Sequence, residues 1–368
     1  MSPTAEIQLI CAVTAAACAL VGVFLVLRRA SLLSDAISHA VLPGIALAFF
    51  ATGSLHSPLL LVAAAGAGLV TVFLIEALER TRLVKTDAAI GLVFPALFSI
   101  GVILIAREAG DVHLDADAVL LGDPAFAWIE RVEIGGADLG PQALWTMGAV
   151  LVACAAFVAL FYKELKLTTF DPALAAALGL APTALHYGLM ALVSTVAVGA
   201  FDVVGSVLVI ALIVAPPAAA WLLTDRLDRM LGIAVGLGVA SAVGGYWLAR
   251  ALDASIAGAM ATVAGIVFAL ALALAPGRGL AAQALRRRRQ RSQFAERMLL
   301  VHLLHHEHGP DADRECRVSH LQDHLRWEAD RAALAVRTAE RSGAVRRAGD
   351  RLALTEPGRD AARAAMVE

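Results

Sequence analysis

Long apolar runs separated by short polar segments dominate the first three quarters of the chain. A membrane-spanning helix needs about 20 mainly apolar residues, and the runs lie at 7–27, 36–52, 58–78, 88–106, 142–162, 185–201, 204–223, 231–249 and 255–275. Only residues 199–205 separate the two runs within 185–223, so the second is expected either to span or to form a re-entrant helix followed by a broken one. The pattern predicts an all-α polytopic membrane protein with eight or nine transmembrane helices.

The pattern changes after Pro276. The segment 278–293 contains four consecutive arginines and is typical of a linker that lies against anionic cytoplasmic lipid. Amphipathic helices are predicted at 294–306, 318–327 and 331–342, then a β-hairpin around Gly349–Asp350 and a short final helix. We therefore predict three parts: a transmembrane domain at 1–277, a basic juxtamembrane linker at 278–293, and a small α+β winged-helix domain at 294–368.

Composition and charge place the chain in a cell membrane and orient it. Of 368 residues, 59% are hydrophobic and 17% are charged, whereas soluble proteins are about 45–50% apolar. One side of the predicted helices carries Arg28, Arg29, Arg80, Arg82, Lys85, Lys163, Lys166, Arg226 and Arg229, and the other carries Arg107, Arg131 and Arg250. Because cytoplasmic loops carry the excess of positive charge, we expect the N-terminus outside and the tail in the cytoplasm.

The longest predicted external loop, 107–141, is acidic. Its carboxylates are Asp111, Asp115, Asp117, Asp123, Glu130, Glu133 and Asp138. An acidic outer surface attracts cations or receives a partner protein. An ordinary solvated loop explains the same composition.

Two ionisable residues stand at the head of an otherwise apolar run. Asp35 and His39 are four residues apart, so on a helix they lie on one face, one turn apart. Pro43 has no N–H group, which leaves the carbonyl of His39 without a helical partner. A carboxylate with an imidazole suits manganese, iron or zinc better than an alkali cation or copper(I). From spacing alone, the alternative is a helix cap at Asp35 and an interhelical hydrogen bond at His39.

Two further segments contain residues that typically start, end or break helices. Asp171 before Pro172 predicts a helix start, and Gly179 predicts its end, so a short amphipathic helix is expected there. The tandem Pro216–Pro217 is expected to break its helix and release carbonyls at membrane depth. A packing kink and a gating hinge are both consistent with the two prolines.

Five segments in this order resemble the membrane permeases of manganese, zinc and iron ABC importers: LRRASLLSDAISHAVLPGIAL, KTDAAIGLVFPALFSIGVIL, LDADAVLLGD, TFDPALAAALGL and VVGSVLVIALIVAPPAAAWLLTDR. The resemblance covers about residues 20–277. It implies a dimer with a second copy or a sibling permease, an extracytoplasmic metal-binding protein and a cytoplasmic ABC ATPase dimer. The chain has no Walker sequence GxxxxGK[ST], so ATP hydrolysis is expected from a separate subunit and the chain is not expected to be an enzyme.

The resemblance also implies roles for individual positions. Asp35 and His39 match the family's D-x-x-x-H, which is associated with metal coordination in the translocation path. The helix that couples to the ATPase would contain Asp171, Pro172, Ala176 and Gly179. Gate or hinge positions would be Pro43, Gly205, Pro216 and Pro217. The cation is expected as a transported divalent ion, with no permanently bound cofactor.

The tail segment 341–362, RSGAVRRAGDRLALTEPGRDAA, resembles the wing and following helix of winged-helix regulators, among them metalloregulators of the diphtheria-toxin-repressor type. This resemblance concerns the fold and not the function. Six arginines in this part are candidates for phosphate contacts: Arg326, Arg331, Arg337, Arg341, Arg346 and Arg347. Glu328, Asp330 and Glu340 lie among them, which argues against nucleic acid as a partner and favours a protein-contact module.

The tail is also rich in histidine. Two pairs, His302 with His306 and His320 with His324, are spaced to share a helical face. Such pairs bind zinc or manganese, and they are a candidate regulatory site with Glu307 and Cys316 nearby. The hypothesis is a domain that senses cytosolic metal and restrains transport; a solvated histidine-rich surface is the alternative.

The leading interpretation is the permease subunit of an ATP-driven importer of manganese, zinc or iron. A membrane-tethered, metal-responsive transcriptional regulator is one alternative. An ion-coupled secondary transporter is another, and inverted repeats that would support it are not recognisable in the sequence.

Overall fold

The computed structural model describes residues 2–53, 58–108, 122–134, 137–309, 311–325 and 327–367. The chain divides into two compact units, Met1–Ala275 and Pro276–Glu368. Each unit has its own cluster of buried apolar residues.

The first unit is a helical bundle with one small hairpin. Its elements are α1 (Pro3–Leu27), α2 (Ser31–Ala40), α3 (Leu42–Thr52), α4 (Pro58–Arg80), α5 (Thr86–Glu108), β1 (Arg131–Ile134), β2 (Ala137–Pro141), α6 (Gln142–Leu160), α7 (Tyr162–Phe170), α8 (Pro172–Ala177), α9 (Pro182–Val204), α10 (Ser206–Leu223), α11 (Leu227–Leu252) and α12 (Ile256–Leu274). Helices α2 and α3 together form one span. Among the described residues nine spans are long and apolar enough to cross a membrane, which confirms the larger predicted count.

Helix α1 lies at the centre of this bundle. It packs along α11 and α10 and also contacts α6 and α9. Its sequence is apolar on all sides, and most of its side chains from Ile10 to Leu25 are buried. A helix without a polar face is stable only when it is surrounded by other helices or lipid, so α1 forms the axis around which the later helices assemble.

The predicted break at Pro216–Pro217 is wrong, because α10 runs through both prolines from Ser206 to Leu223. Each proline removes the hydrogen bond to the carbonyl four residues earlier. Gly22 of α1 lies directly against the carbonyl of Ile213 and the ring of Pro217, and a side chain at Gly22 would collide with both. Close packing by α1 supports a continuous α10 where its two prolines remove two backbone hydrogen bonds.

The region 185–223 forms two separate spans rather than a re-entrant segment. Helix α9 ends at Val204, and Gly205 takes φ +78° and ψ 162° before α10 begins. A side chain at Gly205 would lie 2.8 Å from the carbonyl oxygen of Gly122. Glycine is thus required at the junction both by its positive φ and by the loop that packs on it.

The hairpin β1–β2 joins the bundle near the start of α1. Arg131 donates hydrogen bonds to Glu6 Oε2 at 3.0 Å and to Asp138 Oδ2 at 2.6 Å. The hydrogen bond from Arg131 holds the pKa of Asp138 below its usual range. Asp111, Asp115 and Asp117 of the predicted acidic loop lie outside the described residues.

The second unit consists of helices with one antiparallel hairpin. Its elements are α13 (Leu280–His306), α14 (Ala312–Glu315), α15 (Val318–His324), α16 (Ala329–Arg341), β3 (Val345–Ala348), β4 (Arg351–Leu354) and α17 (Glu356–Val367). The hairpin turns at Gly349, as predicted. The segment predicted as a linker, 278–293, is helical from Leu280 because alanine, leucine, glutamine and arginine all favour helix.

Candidate functional site

Asp35 and His39 face each other on α2. His39 Nε2 lies 3.5 Å from Asp35 Oδ1, and the two side chains keep 32% and 44% of their accessible surface, respectively. The rest of α2 is largely buried, including Ser34 and Ser38, whose hydroxyls donate to carbonyls one turn earlier. The polar edge of the helix is thus confined to the aspartate and the histidine.

Three aromatic side chains surround the ring of His39. Its ring centroid is 5.8 Å from that of Phe94 and 6.5 Å from that of Phe98, which flank the midpoint of α5, and 6.3 Å from that of Phe201 in the last turn of α9. We call the end of the bundle where α1 terminates and α2 begins the Arg28 end. Asp35 is one helical turn nearer this end than His39.

Pro43 lies in the first turn of α3, and the helix axis is interrupted at Val41 between α2 and α3. Gly44, one residue later, lies so close to α4 that a Cβ there would be 2.6 Å from the carbonyl oxygen of Ala63. The small residue thus permits the close helix approach that is typical of membrane bundles. The interruption and this contact together set the position of the Asp35–His39 edge.

Helix α8 has the capping chemistry that its sequence predicts. The carboxylate of Asp171 accepts a hydrogen bond from the N–H of Leu174 at 2.9 Å, and Pro172 occupies the first turn. Gly179 has φ +81°, and its N–H donates to the carbonyl of Ala176 at 3.0 Å. Ala175 is buried, whereas Leu174 and Leu178 expose 47% and 65% of their surface. The structure therefore presents an apolar face on a firmly capped helix.

A polar network at the Arg28 end joins this helix pair to the bundle. Arg28 donates from Nε to Thr169 Oγ1 at 3.2 Å and from Nη2 to Thr168 Oγ1 at 3.4 Å. Its Nη1 lies 3.0 Å from His186 Nδ1. Burial lowers the pKa of the Arg28 guanidinium. Arg28 thus connects the end of α1 to α7 and to the start of α9.

The same network continues into α4 through Glu76. His186 Nε2 lies 2.5 Å from Glu76 Oε1, and the hydroxyl of Tyr187 donates to Glu76 Oε2 at 2.8 Å. Arg28 has only donors, so His186 Nδ1 accepts and its proton resides on Nε2, facing the carboxylate. Sequence spacing does not predict this network, because the partners of His186 and Glu76 lie more than one hundred positions away.

In the second unit, part of the predicted histidine set converges. His302, His306 and Glu315 each offer one ligand atom, and these atoms lie within 4.8 Å of one another. His320 Nε2 lies 2.9 Å from Glu315 Oε2. The side chain of His324 lies outside the described residues. Glu307, predicted to lie nearby, binds Arg359 instead at 3.1 Å.

Comparison with known proteins identifies the family. The sequence model of the ABC 3 transport family matches residues 4–275. The chain is 49% identical over 363 residues to the zinc transport system membrane protein TroD of Treponema pallidum, covering 99% of both chains. It is 46% identical over 269 residues to the manganese transport system membrane protein MntD of Bacillus subtilis, covering 73% of this chain and 91% of the relative.

A solved structure is similar to the first unit. PsaBC from Streptococcus pneumoniae, in complex with a Fab, superposes with a TM-score of 0.63 at 27% identity, covering 76% of this chain and 94% of that one. The matched region of the family model coincides with the helical bundle that carries Asp35, His39 and α8. The chain is therefore a multi-pass membrane protein of the ABC 3 transport family.

Proposed function

We propose that this chain is the permease subunit of an ATP-driven importer of a divalent transition metal, and that Asp35 and His39 contact the ion during its passage. The observation that carries the proposal is the partly exposed carboxylate–imidazole edge of α2 in a member of the ABC 3 transport family. Relatives are named for zinc and manganese transport, and iron belongs to the same class of cargo. The ion is a substrate and is not held permanently.

The chemistry of the pair supports a transported transition metal. One carboxylate and one imidazole supply a hard oxygen and a borderline nitrogen donor, a set that suits manganese, iron or zinc. Two protein ligands do not complete the coordination shell of any of these ions, so water or a second permease chain supplies the rest. An incomplete shell favours release, which a transporter requires.

Helix α8 supports coupling to an ATPase. Its capped ends hold it as a rigid piece, and Leu174 and Leu178 face outward at the Arg28 end. The proposed occupant of this face is a cytoplasmic ABC ATPase, one copy for each permease of a dimer with itself or with a sibling chain. Asp171, Pro172, Ala176 and Gly179 shape the helix, and the leucines provide the contact.

The Arg28 network connects α8 to the helix that carries Asp35 and His39. Thr168 and Thr169 lie immediately before α8, and Arg28 lies seven residues before Asp35. A displacement of α8 therefore acts on the start of α2 through the partly buried Arg28. We assign gate or hinge roles to Pro43, Gly205, Pro216 and Pro217. The chain changes direction at Gly205 and at the interruption between α2 and α3.

The orientation of the chain and its remaining partners complete the proposal. The excess of lysine and arginine at the Arg28 end places that end in the cytoplasm, with the second unit also cytoplasmic. An extracytoplasmic metal-binding protein delivers the ion to the opposite end. The basic run at 286–289 lies near anionic lipid.

The second unit supports a protein-contact role. We infer a winged-helix fold for this unit, an inference supported by its three main helices, its hairpin with a further bridge between Arg317 and Arg351, and its closing helix. Acidic residues are interspersed with its arginines, so nucleic acid is not the favoured partner. The match to an ABC transport family disfavours the regulator and the secondary transporter as functions of the whole chain.

Cellular metal content tests the proposed function. Total manganese, zinc and iron are measured by mass spectrometry in cells that express wild-type chain, Asp35→Ala with His39→Ala, or the matched control Asp87→Asn with His305→Ala. We expect one metal to fall in the double variant and to remain at the wild-type level in the control. Unchanged content of all three metals in the double variant, at equal membrane abundance, would contradict the proposal.

A further inference from the structure

We propose that the second unit has its own binding site for a divalent transition metal of the zinc type, separate from the transport path, with ligands His302, His306 and Glu315. The site does not depend on transport being the function of the first unit. Its ligands come from two elements, the last turns of α13 and the end of α14.

The spacing of the donor atoms fits a metal after small side-chain rotations. The three donors lie within 4.8 Å of one another. Ligands of a tetrahedral zinc ion, at bond lengths of about 2.0–2.2 Å, are separated by roughly 3.4 Å. The cluster must therefore contract by roughly 1.4 Å at most, which rotation of His306 and Glu315 about their side-chain torsions accommodates.

A backbone contact holds the ring of His302 in place. His302 is 7% exposed, and its Nε2 lies 3.0 Å from the backbone oxygen of Glu315. A carbonyl oxygen only accepts, so the proton of the ring is on Nε2 and the lone pair remains on Nδ1. Metal-binding histidines usually donate their second ring N–H to a carbonyl or carboxylate in this way.

Glu315 and His320 extend the arrangement. His320 Nε2 lies 2.9 Å from Glu315 Oε2, and both side chains are largely buried. This is the geometry of an outer partner that orients a ligating carboxylate. Two imidazoles and one carboxylate suit zinc and related borderline ions better than calcium or magnesium, which take mainly oxygen ligands.

Neighbouring residues define the limits of the site. Glu307 lies next to His306 in sequence, but its carboxylate is bound by Arg359 of α17. Cys316 follows Glu315 in sequence, but the described donor atoms that converge are those of His302, His306 and Glu315. The alternative without metal is a set of ion pairs between protonated histidines and Glu315, and the experiment must separate the two.

A metal at this position would fasten the end of α13 to the α14–α15 segment. The connection spans residues 307–317 and contains only the one-turn helix α14. Metal binding therefore adds stability to this part of the second unit, as any ligand that binds only the folded state does. Metal-dependent order here is also the feature that a cytosolic metal sensor would need.

Cobalt and zinc titrations of the full chain test the site. The chain carries Asp35→Ala and His39→Ala, so that the transport path does not contribute, and is stripped of metal in detergent micelles. We expect one equivalent of Co²⁺ with visible d–d absorption, displaced by zinc. Glu315→Gln and His306→Ala should each weaken binding at least tenfold, and the control His308→Ala, an exposed histidine two residues from His306, should bind as the parent does.

A second readout does not depend on the variants folding. Zinc should protect His306 of the parent chain, but not His308, from diethyl pyrocarbonate, as measured by mass spectrometry of peptides. Absence of cobalt absorption in the parent, equal affinity in Glu315→Gln and His308→Ala, or equal modification of His306 with and without zinc would each overturn the site. Because the path residues are absent, none of these outcomes bears on transport.

Discussion

Asp35 and His39 occupy positions where an apolar protein would not keep two ionisable side chains without a reason. An ionised group at membrane depth costs roughly 2.5–3.5 kcal/mol on insertion scales. The pair lies on one helical face and is half exposed in the single chain. A cation bound between them offsets this free-energy cost during transport. We therefore interpret the pair as part of the path of the transported ion.

Single residues also show which parts of a site can be predicted from sequence. The spacing of Asp35 and His39 is local, because i and i+4 meet on any helix. Arg28 and His186 are 158 positions apart, and Glu76 and Tyr187 are 111 apart. Contacts at such separations depend on the packing of helices, which hydrophobic periodicity does not specify, and so the Arg28 network was missed.

The network leads to a prediction at Glu76. Glu76→Leu removes the carboxylate that His186 and Tyr187 contact. Unpaired buried polar groups cost about 1–3 kcal/mol, so we expect a lower unfolding midpoint in detergent and reduced metal uptake. Glu79→Leu, at an exposed position on the same helix, is the control. Equal midpoints for the two variants would show that the network contributes nothing.

At the scale of elements, helix positions followed from composition, whereas helix ends and kinks depended on packing. Asp171, Pro172 and Gly179 define α8 through local capping, and the structure confirms this short helix. The prolines of α10 carry a local signal for a break, yet the helix continues because Gly22 of α1 packs against it. Tertiary contacts therefore override a local rule where a partner helix supplies the missing support.

Close packing of α3 against α4 predicts an effect of one methyl group. Gly44→Ala places a Cβ 2.6 Å from the carbonyl oxygen of Ala63, so the helices must separate, and overpacking of this kind costs about 1–3 kcal/mol. Gly66→Ala on α4 is the control, since its Cβ meets no atom within 4 Å. Thermal unfolding in detergent should show a loss for Gly44→Ala alone. A midpoint equal to that of Gly66→Ala would contradict the close approach.

The exposed face of α8 predicts the loss of a partner without a loss of fold. Leu174→Ser with Leu178→Ser should abolish co-purification of the ATPase, because the apolar contact is removed, and should leave the unfolding midpoint unchanged, because both side chains are exposed. The control is Leu83→Ser, which is 87% exposed between α4 and α5. Retention of the ATPase by the double variant would exclude α8 as its docking helix.

The whole molecule combines a bundle that matches the ABC 3 transport family with a second unit outside that match. Apolar runs and turn signals were enough to predict eight or nine spans and the tail hairpin, because both signals are local in sequence. The convergence of His302 and His306 with Glu315 was only half predicted. Their shared helical face was evident, but the position of α14 depends on how the second unit packs.

Removal of the second unit tests its proposed role. A chain that ends at Arg278 stops before α13 and keeps every element of the bundle. If the tail restrains transport, cells with this chain should accumulate the transported metal at least twofold above the wild type at equal membrane abundance. Accumulation equal to that of the wild type at high and low external metal would exclude an inhibitory role.

The central claim is that this chain conducts a metal ion past Asp35 and His39 under the control of an ATPase. The most direct measurement is ATP-dependent uptake of radioactive manganese or zinc by the permease reconstituted in liposomes with its ATPase and binding protein. We predict uptake by the wild type and its loss in Asp35→Ala and in His39→Ala, with unchanged assembly of the complex. Normal uptake by both variants would contradict the account.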